Sequence, residues 1–360
     1  MKETKVKAFA KINLILNMLG EMPNGYHRIE SFMQAIELHD DVAVSWAERG
    51  TADGGGGPAG SASGSDRKAL KDGKTSAGLS IRLDPGRPDL PSDEGNLAYR
   101  AAALMHEAFH PDVSETIDIK ITKRIPVAAG LAGGSADGAA VITALARLWD
   151  PENPHAEGPG TERSLSSPSA RPASCFGEAG SGEAPLPKAL YDIASKLGSD
   201  VPFCLMAQNG SPAAIARGTG TELTPAEPVS ASVLLLTSPF GVSTKAVYQE
   251  LGSEEQGPEA PHYGDLGAFM SARTLEEKVL HSANQLTGPA LRVCPKIRER
   301  LELLEDPALY GRKPEAPKTP LAVRLSGSGP TCYAVLPAGA FEADVNTDPD
   351  PGLLLTRTLV

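Results

Sequence analysis

Cysteine is scarce in this chain of 360 residues, and its four copies, Cys175, Cys204, Cys294 and Cys332, stand far apart. None of their spacings is that of a zinc or redox motif. Reduced thiols in a cytoplasmic protein are therefore expected, not disulfides or a structural metal. Positive charge is outnumbered, with 34 Lys and Arg against 45 Asp and Glu and a net charge of −11. Nucleic acid and anionic membranes are bound by basic faces, so neither is an expected partner. A small polyanion stays open, since a few lysines and a glycine loop suffice to hold one. No apolar run nears the ~18 residues of a membrane span. Lys11, Asn13 and Asn17 interrupt the stretch where a signal peptide would be uniformly apolar. No internal repeat is visible.

What the chain does have is a run of small residues over 126 to 140, Pro-Val-Ala-Ala-Gly-Leu-Ala-Gly-Gly-Ser-Ala-Asp-Gly-Ala-Ala. Ahead of it Ile117, Ile119 and Ile121 alternate with polar residues, as in a strand. Behind it Val141, Leu145 and Leu148 recur at helical spacing. A glycine-rich loop thus joins a strand to a helix start. Gly130, Gly133 and Gly134 let backbone approach a ligand closely. The unpartnered N–H groups and dipole of the helix start favour an anion, so the expected ligand is phosphate. Close packing alone is the competing reading, but about ten residues pass without a bulky polar side chain. Ser135 also stands where a hydroxyl meets phosphate or Mg²⁺. No Gly-Lys-Ser/Thr follows, which excludes a Walker loop. The glycine spacing, with no acidic residue ending a following strand, excludes the dinucleotide fingerprint.

Residues 50 to 78 and 151 to 187 are rich in Gly, Ser, Pro and Ala or Glu, and 252 to 262 and 307 to 319 carry Pro and charge. Such segments bury too little apolar surface to offset their ordering entropy, so they read as loop insertions. Between them, residues 5 to 17 alternate as a strand. Val6, Ala8, Ala10, Ile12, Leu14 and Leu16 point one way, and Lys7, Phe9, Lys11, Asn13 and Asn17 the other. Pro23-Asn24-Gly25 is a turn signal, followed by an extended run to Val44. Asn96 is placed to cap a helix through Phe109. Leu190, Ile193, Ala194 and Leu197 form another helix face, stopped at Gly198. Val233 to Leu236 reads as a buried strand. Val323 and Leu325 lead into a second glycine loop, Ser326-Gly327-Ser328-Gly329-Pro330, and Cys332 to Leu336 leave it as a strand. Helices mixed with antiparallel hairpins indicate an α+β fold.

Taken one at a time, the polar candidates have bland explanations. Lys11 is a strand-edge lysine, Asp200 a turn or N-cap residue, and Tyr26 and His27 hairpin-tip residues. Together they are the set that phosphoryl transfer needs: a phosphate cradle, a cation, a carboxylate that orients an alcohol, and an aromatic platform.

The chain resembles the GHMP kinase superfamily, and within it the branch acting on a cytidine-diphosphate sugar alcohol. The matching blocks are Ala10-Lys11-Ile12-Asn13-Leu14, Asn24-Gly25-Tyr26-His27, Asn96-Leu97-Ala98-Tyr99, Ile125 to Ala140, Leu197-Gly198-Ser199-Asp200-Val201-Pro202, Gly241-Val242-Ser243-Thr244 and Ser326 to Pro330. The resemblance implies an N-terminal domain over 1–210 like the second domain of ribosomal protein S5. It implies a C-terminal α+β domain over 211–360 and an active site in the cleft between them. It also implies ATP and Mg²⁺, and transfer to the 2-hydroxyl of 4-(cytidine 5'-diphospho)-2-C-methyl-D-erythritol.

In that picture Pro126, Val127, Ala128, Ala129, Gly130, Leu131, Ala132, Gly133, Gly134, Ser135 and Ala136 wrap the triphosphate. Asn96 and Lys123 contact the nucleoside end, and Ser135 touches Mg²⁺, which is otherwise held by the phosphates. Asp200 is the base and Lys11 steadies its charge. Asn13 holds the alcohol, Tyr26 and Tyr248 enclose cytosine with His27 and Thr244 beside them, and Gly327, Ser328 and Gly329 line the cleft. A monomer or weak homodimer is expected. A homoserine- or mevalonate-type kinase, or a non-catalytic nucleotide sensor, are the alternatives.

Several features depart from the pattern. Ala128, Ala129 and Ala132 replace glycines of some relatives, which is harmless if their φ is negative. Gly138 sits in the first helix turns, where alanine is better by about 1 kcal/mol. Asn284-Gln285-Leu286-Thr287 suggests no role. The segment after 337, with Pro349 and Pro351, looks irregular.

Overall fold

The computed structural model describes residues 2–23, 25–49, 78–149, 186–310, 319–340 and 352–360. Asn24, Cys175 and nearly all of the two long low-complexity segments lie outside the described residues.

Two long strands organise the first half. β1 (Lys2–Glu21) and β2 (His27–Glu48) form an antiparallel hairpin across Gly25, whose φ of 79° suits the turn. β3 (Leu79–Asp84) follows, then α1 (Leu97–Phe109), whose cap is Asn96 accepting from the Ala98 N–H. β4 (Glu115–Thr122) pairs with β2 and, in parallel, with β3. Next come α2 (Gly133–Trp149), α3 (Lys188–Leu197) and α4 (Val201–Ala207). These helices bury Ala140, Leu145, Leu190, Ile193 and Leu205 against Val42, Val44, Ile117 and Ile119 of the sheet. Each such Leu, Ile or Val withdrawn from water contributes roughly 1.5–3 kcal/mol.

Just beyond the expected 210/211 division the chain pairs once more with the first sheet. β4 covers only Asp41–Glu48 of the outer edge of β2. The free stretch Ile29–Gln34 takes β5 (Ala213–Gly218), which pairs in turn with β6 (Glu222–Pro225). The second sheet begins only at β7 (Ser232–Leu236). After it come α5 (Thr244–Gln249), α6 (Leu266–Ser271), α7 (Leu275–Leu280), β8 (Ala283–Asn284), α8 (Thr287–Val293) and α9 (Lys296–Glu305). β9 (Ala322–Leu325), β10 (Cys332–Leu336) and β11 (Leu353–Arg357) complete an antiparallel sheet in the order β11-β7-β10-β9. β8 returns to the first sheet beside β1, and the Leu359 N–H donates to Ala35 O. The two sheets are thus stitched by strands that cross between them.

Three stretches carry more structure than their composition suggested. The segment after 337 contains β11, because Leu353 and its neighbours complete the edge of β7. Residues 252 to 262 are structured: a 3-10 turn at Ser253–Glu255 closes on itself, Arg292 pairs with Glu255, and the Gly257 N–H donates to Met18 O. In the fourth low-complexity segment Tyr310 is buried, its hydroxyl donating to Leu304 O. The start of α1 lies close over Gly138: a Cβ there would stand 3.4 Å from Leu97 Cβ and O, the near edge of ordinary contact.

Candidate active site

The alternation read from β1 is interrupted, and the interruption shapes the site. A register shift lies between Asn13 and Ile15. An extra residue in one strand reverses which side chains face which way. Leu14 and Ile15 therefore both join the core with Ile12, whereas Leu16 lines a cleft with Lys11 and Asn13. Asn17 is turned away and pairs with the Gly264 backbone.

Lys11 is 4% exposed. Its Nζ donates to Asn13 Oδ1 at 2.7 Å and lies 3.7 Å from Asp200 Oδ1. Asn13 donates to Ser31 Oγ, and Ser31 donates to Ile15 O, so the amide is held in one orientation. Asp200 stands at the N-cap of α4, yet its side chain makes no capping bond. The bland explanation for Asp200 is thereby removed: its carboxylate, with a side chain 33% exposed, faces Lys11 and the cleft.

The cleft, of about 450 Å³, has the glycine-rich loop as one wall. Pro126, Val127, Ala128, Ala129, Gly130, Ala132, Gly133, Gly134 and Ser135 line it. Leu131 and Ala136 do not: both side chains are buried in the core beneath. The loop's crown is held by three hydrogen bonds, from Lys11 N–H to Leu131 O, Ser326 Oγ to Gly130 O and Thr331 N–H to Ala129 O. Gly130 has φ of 73°, and a Cβ there would be 2.5 Å from Ser326 O, so the residue must be glycine. Ala128 and Ala132 do not have the expected negative φ; theirs are 54° and 58°. The turn demands left-handed backbone at these positions, and the methyl groups bear a strain of roughly 1–2 kcal/mol each. The loop ends at the open N-terminus of α2, where backbone N–H groups have no helical partner.

Asn96 lines the cleft, but its carboxamide is engaged in capping α1 and in donating to Pro91 O. The Lys123 ammonium is buried between Asp40 Oδ2 at 2.5 Å and Asp137 Oδ2 at 2.7 Å. Sequence reading missed both carboxylates, which lie 83 and 14 residues away in the chain. Burial pushes the Asp137 carboxyl up to about 7, with Lys123 pulling against the shift and Asp40 adding to it. Lys123 itself stays above the ordinary lysine value, because the two carboxylates outweigh its burial.

From the second sheet come Gly327 and Ser328, with Ser328 Oγ 2.9 Å from Thr244 Oγ1. Gly329 is not in the lining; a Cβ there would strike Leu325. Asn284, to which no role was given, anchors this loop by donating to Leu325 O and Gly327 O, both at 2.8 Å.

A second cavity adjoins the cleft through Ser199, Thr219, Thr244 and Tyr248 and is lined by Tyr26, His27, Lys196 and Lys245. His27 and Tyr248 rings lie 5.3 Å apart, and Tyr26 is 64% exposed. Burial and the Asp200 charge raise the Tyr248 hydroxyl to about 12, so it stays a neutral donor. One continuous surface thus offers an anion cradle, a lysine–carboxylate pair and an aromatic chamber. Among the described residues no group of three or more His, Cys, Asp or Glu is arranged to hold a metal ion.

The pattern of the GHMP kinases N terminal domain matches residues 96–158. The 4-diphosphocytidyl-2-C-methyl-D-erythritol kinase of Pelotomaculum thermopropionicum (strain DSM 13744 / JCM 10971 / SI) is 32% identical over 361 residues, covering 98% of this chain and 96% of the relative. The protein of the same name from Alkaliphilus metalliredigens (strain QYMF) is 30% identical, covering 93% and 88%. Among solved structures, that of a 4-(cytidine 5'-diphospho)-2C-methyl-D-erythritol kinase is 24% identical with a TM-score of 0.58, covering 92% and 90%. A homoserine kinase from Cytophaga hutchinsonii is 14% identical with a TM-score of 0.55, covering 100% and 95%.

Proposed function

Because the chain belongs to the 4-diphosphocytidyl-2-C-methyl-D-erythritol kinase family, we propose that it transfers the γ-phosphate of ATP to the 2-hydroxyl of 4-(cytidine 5'-diphospho)-2-C-methyl-D-erythritol, giving the 2-phosphate and ADP. This is a step of the non-mevalonate route to isoprenoid precursors. The observation that carries the reading is the Lys11–Asp200 pair, 3.7 Å apart, between the loop at 126–135 and the chamber of Tyr26, His27 and Tyr248.

Phosphoryl transfer asks mostly for positioning and charge. The loop's backbone N–H groups and the start of α2 take the phosphates. Asn13, fixed by Lys11 and Ser31, orients the acceptor alcohol. Asp200 accepts the alcohol proton, and Lys11, 3.7 Å away, offsets the charge that develops on the alkoxide. The aromatic chamber takes cytosine, and Tyr248, facing both cavities, marks where base and sugar alcohol join. The oxygens near the loop are few, with Ser135 on the lining. That suits Mg²⁺, which is held largely by phosphate and water; when bound it screens the phosphate charge. A homoserine- or mevalonate-type activity would leave the aromatic chamber without use. The scattered thiols, free at Cys204, Cys294 and Cys332, support a cytoplasmic protein.

The test is ADP release with Mg-ATP and the cytidine substrate, homoserine or mevalonate, for wild type and Asp200→Asn. Turnover confined to the cytidine substrate and lost in the variant is expected. Turnover with another alcohol overturns the substrate assignment, and ATP binding without turnover favours a nucleotide sensor.

A further inference from the structure

Three charged groups lie at the roots of the phosphate loop, Lys123 and Asp137 on the cleft lining and Asp40 behind them, and take no part in the proton transfer assigned to Asp200. Asp40 is completely buried on β2. One of its oxygens accepts the backbone N–H groups of Arg124 and Ile125, and the other accepts Lys123 Nζ. Lys123 Nζ donates onward to Asp137 Oδ2 in the early turns of α2. Its head also lies near the helix start, where a Cβ on Gly133 would be 3.4 Å from it. Residues 123–125 lead into the loop, and 133–137 lead out of it. The Asp40–Lys123–Asp137 chain therefore closes the two roots of the loop on each other.

We propose that Asp40 and Asp137 are positioning residues that, through Lys123, hold the loop in its nucleotide-binding shape. The shape is not one the loop sequence favours. Ala128 and Ala132 are held in left-handed backbone, and such strain persists only where the surroundings over-determine it. The three hydrogen bonds at the crown fix its top, one against β1 and two against the second glycine loop. The charged bracket fixes its base, where buried, charge-assisted hydrogen bonds are stronger than neutral ones. Two carboxylates share one ammonium there, and 6% of the lysine side chain is exposed. Asp137 Oδ1 is buried and has no hydrogen-bond partner.

The inference rests on the reading that this loop binds ATP. The test is calorimetric binding of a non-hydrolysable Mg-ATP analogue, with KM for each substrate and kcat, for Asp137→Ala, Asp137→Asn and Asp40→Asn. Asp137→Ala should weaken the analogue and raise KM for ATP roughly tenfold, as for one lost charge-assisted hydrogen bond. Its kcat and its KM for the cytidine substrate should stay within about twofold of wild type. Asp137→Asn, which keeps an acceptor for Lys123, should recover most of the loss. Asp40→Asn, remote from the lining, should show the same selectivity for nucleotide and stands in if Asp137→Ala does not fold. Folded Asp137→Ala that binds the analogue like wild type would overturn the inference, as would an equal loss toward both substrates without rescue by Asn. Wild-type protein unable to bind the analogue would overturn the kinase reading, and this inference with it.

Discussion

Replacing Lys11 by Met should slow turnover by a factor of about 10² to 10³ while leaving the fold intact. Two unit charges 3.7 Å apart attract by about 4 kcal/mol at an effective dielectric constant of 20. The Asp200 side chain is 33% exposed, so solvent screening leaves roughly half of that. About 2 kcal/mol in the transition state corresponds to roughly thirtyfold in rate. Asn13 Oδ1 also loses its buried donor, at a further cost of about 1–3 kcal/mol to the group that orients the alcohol. Met nearly fills the space of the lysine stem, so no large cavity opens at a position 4% exposed. The assay is single-turnover and steady-state ADP release, with thermal unfolding as the control for folding. Because Lys11 and Asp200 act on one proton transfer, Lys11→Met combined with Asp200→Asn should be hardly slower than Asp200→Asn alone. Multiplying penalties in the double variant would refute the shared role. So would a Lys11→Met enzyme with unchanged kcat and only a raised KM, since the lysine would then serve ground-state binding.

Gly130→Ala should destabilise the protein by about 2–4 kcal/mol and raise KM for ATP, because its Cβ would stand 2.5 Å from Ser326 O and push the two glycine loops apart; unfolding curves and ADP release check it. Glu115→Ala should cost about 3 kcal/mol without changing kcat of the folded enzyme. This carboxylate is fully buried, accepts from Trp46 Nε1 and lies 2.7 Å from His106 Nδ1, but it is remote from the cleft lining; denaturant titration alongside activity is the measurement. Asp137 is expected to give a pH signature. Its folded carboxyl sits near 7 against an ordinary 3.8, so its contribution is fully present at low pH and erodes as pH rises toward 7. Thermal melts between pH 5 and 8 should therefore show wild type falling relative to Asp137→Asn as pH rises, and parallel curves would refute the shift.

The residues that set local structure were readable from the chain alone. Asn96 announces the start of α1, Leu190 to Leu197 the face of α3, and the small residues from Gly130 to Ser135 a loop able to approach phosphate. These follow from side-chain size, capping chemistry and period, which act over a few residues, and the ordered motif blocks carried the family. What the chain could not disclose depends on partners far away in sequence. The meeting of Lys11 and Asp200 was implied only by the resemblance, and it comes about because β1 and the start of α4 border one cleft. The bulge after Asn13 sends Leu16 to the cleft, and no periodicity signals it, since one extra residue is invisible until a strand is paired. Lys123 lines the cleft as expected of a nucleotide contact, but nothing in its sequence neighbourhood showed that Asp40 and Asp137 would hold its ammonium. Ala128 and Ala132 looked harmless until the turn fixed their φ. The pairing of β5 belongs here too, because it fills the edge of β2 that the neighbouring strand leaves open. Local rules choose the elements, but register, long-range pairing and the desolvated meeting of charges are decided when the strands and helices close on one another.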